Sequence, residues 1–92
     1  MISIVAKFIV NEGEERKFLD LVNELGIASR AEMGCVEYIL HKDVEKPQTY
    51  CILEKWRDQA SIDEHNNKQH VTRIVPQIVK IAKAEIDVYK PV

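Results

Sequence analysis

The sequence has few cysteines and no long apolar run. Its two cysteines, Cys35 and Cys51, are too few for a disulfide scaffold, so we expect reduced thiols and a cytoplasmic protein. No apolar run approaches the roughly 20 residues that a membrane helix requires, so no membrane partner is expected. The net charge of −2, without a basic block or an aromatic RNA-binding motif, also argues against a nucleic-acid partner.

The first ten residues, MISIVAKFIV, lack the basic leader and the small-residue cleavage site of a signal peptide. They are mostly β-branched and apolar, with only Ser3 and Lys7 polar. We therefore predict a strand over residues 2–10 that is covered on both faces. A chain of 92 residues is too short for two domains, so residues 1–92 are assigned to a single domain.

Hydrophobic spacing along the rest of the chain predicts further helices and strands. Apolar residues after Glu14 recur every three or four positions, as in a helix, and Gly34 should end that helix. Asp58 is suited to cap a short helix, and Pro76 should kink or restart the helix that follows. The other predicted elements are strands over 35–43, 50–56 and 83–91 and helices over 59–66 and 68–81.

The order β-α-β-β-α-β predicts an α+β fold of the ferredoxin-like type, an antiparallel sheet with helices on one face. The strands nevertheless carry apolar residues on both faces. In the second strand these are Val36, Tyr38 and Leu40 on one side, and Cys35 and Ile39 on the other. Because large apolar surfaces are not left in water, the second face needs a cover. We therefore expect a homodimer in which two sheets pack face to face across a two-fold axis.

The loop between the second and third strands sets the register of their hairpin. A loop of five or six residues centred on Lys46 predicts pairs whose residue numbers sum to about 91. His41 should then lie opposite Tyr50, and Tyr38 opposite Leu53. The two cysteines are out of register in this pairing, so no disulfide is expected between them.

Two histidines follow the third strand and are the natural candidates for chemistry. Ile62 should face the sheet, and His65 lies on the same helix face three residues later. His65 is either a buried histidine bonded to the backbone or a catalytic residue. His70 is about 140° further round a helix, whereas two ligands of one metal ion prefer a spacing of three or four residues. We therefore predict no metal site.

Glu54 and Trp56 share one face of the third strand. Trp56, the only tryptophan, is either a core or interface anchor or a residue that stacks on a ligand. Glu54 is either a half-buried carboxylate bonded to a partner chain or an acid of the site, and the structural role is favoured.

These residues together resemble the antibiotic biosynthesis monooxygenase domain family, and the resemblance covers essentially the whole chain. It implies a dimeric α/β barrel of ferredoxin-like protomers, each with a pocket between helices and sheet. Some members of that family oxidise quinols and polyphenols without metal or flavin, and others include an isomerase and proteins with no assigned reaction. The matching positions are Gly34, Cys35, Tyr38, Pro47, Tyr50, Glu54, Trp56, Asp58, His65 and His70.

A cofactor-free oxygenase needs a base of nearly neutral pKa, apolar walls for a flat ring, and a donor for the substrate anion. His65 is the candidate base. The candidate substrate-binding residues are Trp56, Tyr38 and Phe8 as walls, and Asn66 and His70 as donors. Together with these residues, the resemblance implies a cofactor-independent monooxygenase acting on a small quinol-like or polyphenol-like substrate.

Two alternatives are left open by the sequence. The same histidine could serve an isomerase or tautomerase of a small polar or phosphorylated signalling metabolite, with Lys42, Lys68 and Arg73 as phosphate ligands. The protein could also be a non-catalytic dimer that binds a small molecule.

Overall fold

All 92 residues are described by a computed structural model, in which a four-stranded antiparallel sheet carries three helices on one face. The strand order is β2-β3-β1-β4, which is the ferredoxin-like arrangement predicted from the sequence. The elements are β1 (Ile2–Val10), α1 (Glu15–Arg30), β2 (Cys35–Lys42), β3 (Thr49–Trp56), α2 (Gln59–Asn66), α3 (Gln69–Ile78) and β4 (Ala82–Tyr89).

The core lies between the helices and one face of the sheet. In β1 every second residue from Ile4 to Val10 points into it, which is the alternation of a strand, and Ile9 on the other face is exposed. From α1, Phe18 is fully buried between the rings of Phe8 and Tyr50. Burial of one such side chain contributes roughly 1.5–3 kcal/mol.

One helix prediction needs correction, and one of the two alternatives for Pro76 is excluded. The first helix ends at Arg30 and not near Gly34, because residues 31–34 form a turn in which the Glu32 amide donates to the Ser29 carbonyl. Pro76 does not restart the last helix, since α3 continues to Ile78 beyond it. Proline lies late in this ten-residue helix, so its missing N–H removes only one of the final backbone hydrogen bonds.

The predicted hairpin register is wrong by one residue. His41 pairs with Cys51 and Tyr38 pairs with Glu54, so the paired numbers sum to 92 along most of the hairpin. The loop closes at Asp43, whose amide donates to the carbonyl of Thr49, and the Asp43 carboxylate accepts from the two amides of Glu45 and Lys46. This turn geometry, which the sequence spacing did not specify, sets the register.

A β-bulge between Cys35 and Glu37 also changes the predicted faces of β2. Cys35 lies opposite Trp56 and packs against the core, although alternation from Ile39 had predicted the other face. The extra residue of the bulge shifts the alternation by one position. Val36 is consequently exposed, and both cysteines are free thiols, as predicted.

The sheet face opposite the helices carries a row of apolar side chains. Ile39, Leu53 and Val5 are paired across β2, β3 and β1, and Ile39 is 46% exposed. The apolar second face predicted from the sequence is therefore present. No helix has the length and apolarity needed to cross a bilayer.

Candidate active site

The short helix α2 positions His65. Asp58 caps it as predicted: its carboxylate accepts hydrogen bonds from the amide and the hydroxyl of Ser61, at 2.9 and 2.7 Å. A cap of this kind contributes about 1 kcal/mol. Ile62 is buried against the core, and His65, one turn later on the same face, is 7% exposed. The prediction that His65 points inward is confirmed.

The turn between α1 and β2 brings a carboxylate to both histidines. Glu32 Oε2 lies 2.6 Å from His65 Nδ1 and 2.8 Å from His70 Nε2. The turn packs closely on α2. The space at Gly34 is so small that a Cβ there would lie only 2.1 Å from the Ser61 hydroxyl oxygen. A carboxylate only accepts hydrogen bonds, so both imidazoles donate to the same oxygen.

The spacing argument that kept His65 and His70 apart is wrong. The angle of about 140° holds only within one continuous helix. α2 ends at Asn66 and α3 begins at Gln69, close to the break predicted between helices 59–66 and 68–81, so the angle does not describe how the two rings are related. The ligand atoms of Glu32, His65 and His70 lie within 4.8 Å of one another, close enough in type and distance to hold a metal ion. Glu32 accepts a hydrogen bond from each imidazole, so the three side chains form one hydrogen-bonded cluster.

The electrostatic environment of His65 has two opposing components. Burial lowers its pKa below the ordinary value, while the hydrogen bond and the charge of Glu32 act to raise it. With Nδ1 donating to Glu32, the neutral ring keeps its lone pair on Nε2, which makes no hydrogen bond within the chain. His65 therefore has the form of an oriented base.

An apolar cleft of about 290 Å³ lies between the helices and the sheet, and His65 is one of its walls. Fourteen of its 17 lining residues are hydrophobic, and the other three are Glu54, His65 and Asn66. The cleft opens between α3 and β4, where Ile86 and Val88 are each 59% exposed. Its volume and composition suit a small, largely apolar ligand.

Glu54 is buried on the sheet side of this cleft. Trp56 Nε1 donates a hydrogen bond of 2.9 Å to Glu54 Oε1. Burial raises the pKa of Glu54 from its ordinary value of 4.5 to about 7, with the Trp56 hydrogen bond opposing and the charge of Glu32 adding to the rise. Both protonation states of Glu54 are consequently present near neutral pH.

The family model for antibiotic biosynthesis monooxygenases matches residues 1–77. The chain belongs to the antibiotic biosynthesis monooxygenase family. A curated relative from Bacillus subtilis (strain 168), named "Putative monooxygenase YcnE", is 32% identical over 90 residues, covering 98% of this chain and 95% of that protein. Family membership and this name support a monooxygenase-like function.

Solved structures agree with the assignment to the antibiotic biosynthesis monooxygenase family. A conserved protein of Methanosarcina mazei Go1 superposes with a TM-score of 0.96 at 29% identity, over 99% of this chain and 92% of that one. A crystal structure described as an antibiotic biosynthesis monooxygenase gives 0.93 at 28% identity, over 100% and 99%.

Four of the six predicted site residues line the cleft: His65, Tyr38, Phe8 and Asn66. The other two, Trp56 and His70, do not line it. Trp56 is fully buried behind the wall, with its ring centroid 4.4 Å from that of His65. His70 lies on the outer side of Glu32, beside a surface pocket of about 480 Å³.

Two carboxylates complete the site. Glu54, for which the structural role was favoured, lines the cleft and accepts a hydrogen bond from Trp56 of the same chain. Glu32 was missed altogether, because a glutamate in a turn has no pattern that sets it apart from a solvated one. The only available signal was its place two residues before Gly34, in the stretch that resembles the family.

Proposed function

We propose that this protein is a monooxygenase for a small quinol or polyphenol, with His65 as the proton acceptor. The observation that carries the proposal is the position of His65: Nδ1 is held by Glu32 at 2.6 Å, and the unbonded Nε2 belongs to a ring that lines the apolar cleft. A base oriented by a carboxylate is a recurring arrangement in general-base catalysis.

In the first step Nε2 of His65 takes the proton of a phenolic hydroxyl. The imidazolium that forms is stabilised by the Glu32 carboxylate, which is already hydrogen-bonded to Nδ1. The Asn66 amide, which lines the cleft and has no hydrogen-bond partner in the chain, is available to donate to the phenolate oxygen. Phe8 and Tyr38 provide the walls against which a flat ring packs.

The electrons come from the substrate, and dioxygen is the oxidant. The phenolate gives electrons to dioxygen, a carbon–oxygen bond forms on the ring, and the O–O bond then breaks. One oxygen atom stays on the ring and the other leaves as water, so one hydroquinone and one dioxygen yield one hydroxyquinone and one water. His65 returns its proton to the departing oxygen.

The charges around the cleft argue against a phosphorylated substrate. No lysine or arginine lines it, whereas a phosphate needs cationic or multiple N–H donors. Of the three cations considered from the sequence, Arg73 pairs with Glu24 on the surface and Lys68 lines the outer pocket near Glu64. Lys42 lies at the end of the hairpin, outside the cleft.

We further propose a homodimer formed through the sheet face that carries Ile39, Leu53 and Val5. These side chains form a continuous apolar row that the helices do not cover. Sedimentation should give twice the monomer mass, and Ile39→Glu should give the monomer. Wild-type protein that sediments as a monomer would contradict this arrangement. The two free thiols support a reducing, cytoplasmic location.

Oxygen uptake tests the catalytic proposal. Purified protein treated with a chelator is mixed with a panel of hydroquinones, including 1,4-naphthohydroquinone, in an oxygen electrode. We expect uptake above the buffer rate in the wild type, a loss of roughly 100-fold or more in His65→Ala, and no loss in Glu64→Gln, an exposed neighbour. Equal uptake by wild type and His65→Ala would contradict the proposal, and uptake that the chelator abolishes would contradict metal-free chemistry.

A further inference from the structure

The mechanism above leaves one buried titratable group of the cleft unused. Glu54 is 7% exposed and lies on β3, while His65 lies on α2, so the two groups approach the cleft from the sheet and from the helices. No hydrogen bond or ion pair joins them. Both residues line the same cleft, so a ligand there can contact both.

Trp56 determines which oxygen of Glu54 is available. Because the indole N–H donates to Oε1, a proton on the neutral carboxyl belongs on Oε2, the oxygen that the indole leaves free. The neutral carboxyl can then donate from Oε2, and the carboxylate can accept there. Glu54 is thus oriented by Trp56 as His65 is oriented by Glu32.

We propose that Glu54 is a second catalytic residue, and that with His65 it gives the cleft an oxygen-independent activity, the enolisation of small apolar cyclic ketones. The proposal rests on the proposed function only in using the same cleft and the same base. The substrate class follows from the walls, which are hydrophobic at 14 of 17 positions and include no cation.

The step is a balanced proton transfer. His65 Nε2 takes a proton from the carbon next to the carbonyl, and the electron pair of that C–H bond forms the C=C bond. The carbonyl oxygen takes the proton of Glu54 Oε2, so the product is a neutral enol, with an imidazolium and a carboxylate left in the site. The reverse step restores both groups, and no electrons are gained or lost.

The surroundings of Glu54 favour this role. A buried carboxyl with few polar neighbours stays protonated at higher pH than an exposed one, and the pKa of Glu54 is accordingly raised. Tyr38, its cross-strand partner, is the titratable group beside it, and burial likewise raises the pKa of that hydroxyl, which therefore stays neutral. Glu32 is the charged group that also favours a neutral Glu54.

Deuterium exchange without oxygen tests the proposal. The protein is incubated in anaerobic D₂O with 2-tetralone, a bicyclic enolisable ketone, and loss of the α-proton signals is followed by NMR. We expect exchange faster than in buffer with an equal concentration of free imidazole. Glu54→Gln should slow it by roughly 100-fold, since the amide still accepts from Trp56 but has no acidic proton. His65→Ala should slow it to a similar extent.

Glu64→Gln is the matched control, because Glu64 is next to His65 in sequence but is exposed on the outer surface. It should exchange at the wild-type rate. Far-ultraviolet circular dichroism and Trp56 fluorescence identify a misfolded variant, and Glu54→Asp, which restores an acidic proton, should recover part of the rate. Exchange by Glu54→Gln at the wild-type rate, or no exchange by wild type above imidazole, would overturn the proposal. Oxygen uptake is measured separately, so failure of this activity is distinguishable from failure of the proposed function.

Discussion

Glu32 and His65 are joined by a hydrogen bond of 2.6 Å between a turn and a helix that are 33 residues apart in sequence. The Glu32 side chain is 9% exposed and that of His65 is 8% exposed, so the pair is largely shielded from water. A hydrogen bond to a charged group in such a setting contributes roughly 1.5–3 kcal/mol. The hydrogen bond keeps the proton of the neutral His65 ring on Nδ1. The lone pair therefore stays on Nε2, the atom that is proposed to act as the base.

Glu32→Gln should weaken His65 as a base. The amide oxygen still accepts from Nδ1, but the charge that raises the pKa of His65 is gone, so that pKa should fall further below its ordinary value. We expect oxygen uptake to fall by about 10- to 100-fold. Imidazole ¹⁵N NMR titration measures the change, with the exposed His41 signals as the internal reference. A rise in the His65 pKa would show that Glu32 does not act as described.

Glu54 makes the stability of the protein depend on pH. Its pKa is about 7 in the folded state and near 4.5 when unfolded, so between these values the folded state binds more protons. The free energy of unfolding should therefore fall as pH rises through this window, by up to about 3 kcal/mol from this group. His65, whose pKa is lowered by burial, contributes with the opposite sign.

Denaturant titrations of wild type and Glu54→Gln between pH 5 and pH 8 separate the two contributions. The difference in unfolding free energy, wild type minus variant, should fall by about 3 kcal/mol over this range, because only the wild type carries the Glu54 carboxyl. Glu64→Gln should keep the wild-type pH dependence. A difference that is constant with pH would mean that Glu54 is not titrating in the folded state.

The sequence predicted the elements of the fold well, because each has a local cause. A run of β-branched and apolar residues predicted β1, and Asp58 with Ile62 predicted α2 and the inward face of His65. Features that depend on a single extra residue were not predictable: the bulge after Cys35 and the loop closure at Asp43 each shift a strand by one position. Alternation alone does not specify either of them.

The site was predictable only in part, for a similar reason. His65 could be placed because one helix face decides its direction. Glu32 could not, since it reaches both histidines only after the 31–34 turn packs on α2. His70 was misjudged because a helical angle was applied across the break between α2 and α3, although that break was predicted.

Gly34→Ala should destabilise the protein at the contact that positions Glu32. A Cβ there would lie 2.1 Å from Ser61 Oγ and 2.3 Å from Ser61 Cβ. Asp58 holds Ser61 in place, because it accepts hydrogen bonds from the Ser61 hydroxyl and the Ser61 backbone amide. We expect a loss of about 1–3 kcal/mol in unfolding free energy. Gly26→Ala is the control, because its Cβ would approach only the guanidinium end of Arg30, at 2.9 Å, and a long side chain can shift while keeping its hydrogen bond to the Tyr38 carbonyl. Equal effects of the two substitutions would contradict this account of the turn.

Ala84→Phe should block the cleft without altering its acid–base groups. Ala84 lines the cleft from the edge strand β4 and is exposed at its mouth, so a larger ring there occupies the substrate volume. We expect KM for a hydroquinone to rise while thermal stability changes little. Ala60→Phe, on the exposed side of α2, adds the same ring away from the cleft and should leave KM unchanged. A KM that is unaffected by Ala84→Phe would place the substrate elsewhere.

The most direct test of the central claim is a single turnover with ¹⁸O₂. Wild-type protein and His65→Ala are each mixed with 1,4-naphthohydroquinone and ¹⁸O₂, quenched at once, and the products are analysed by mass spectrometry. The account predicts a hydroxyquinone that carries one ¹⁸O atom in the wild-type reaction and only the buffer background with His65→Ala. A wild-type product without the label, or simple quinone formed together with hydrogen peroxide, would contradict it.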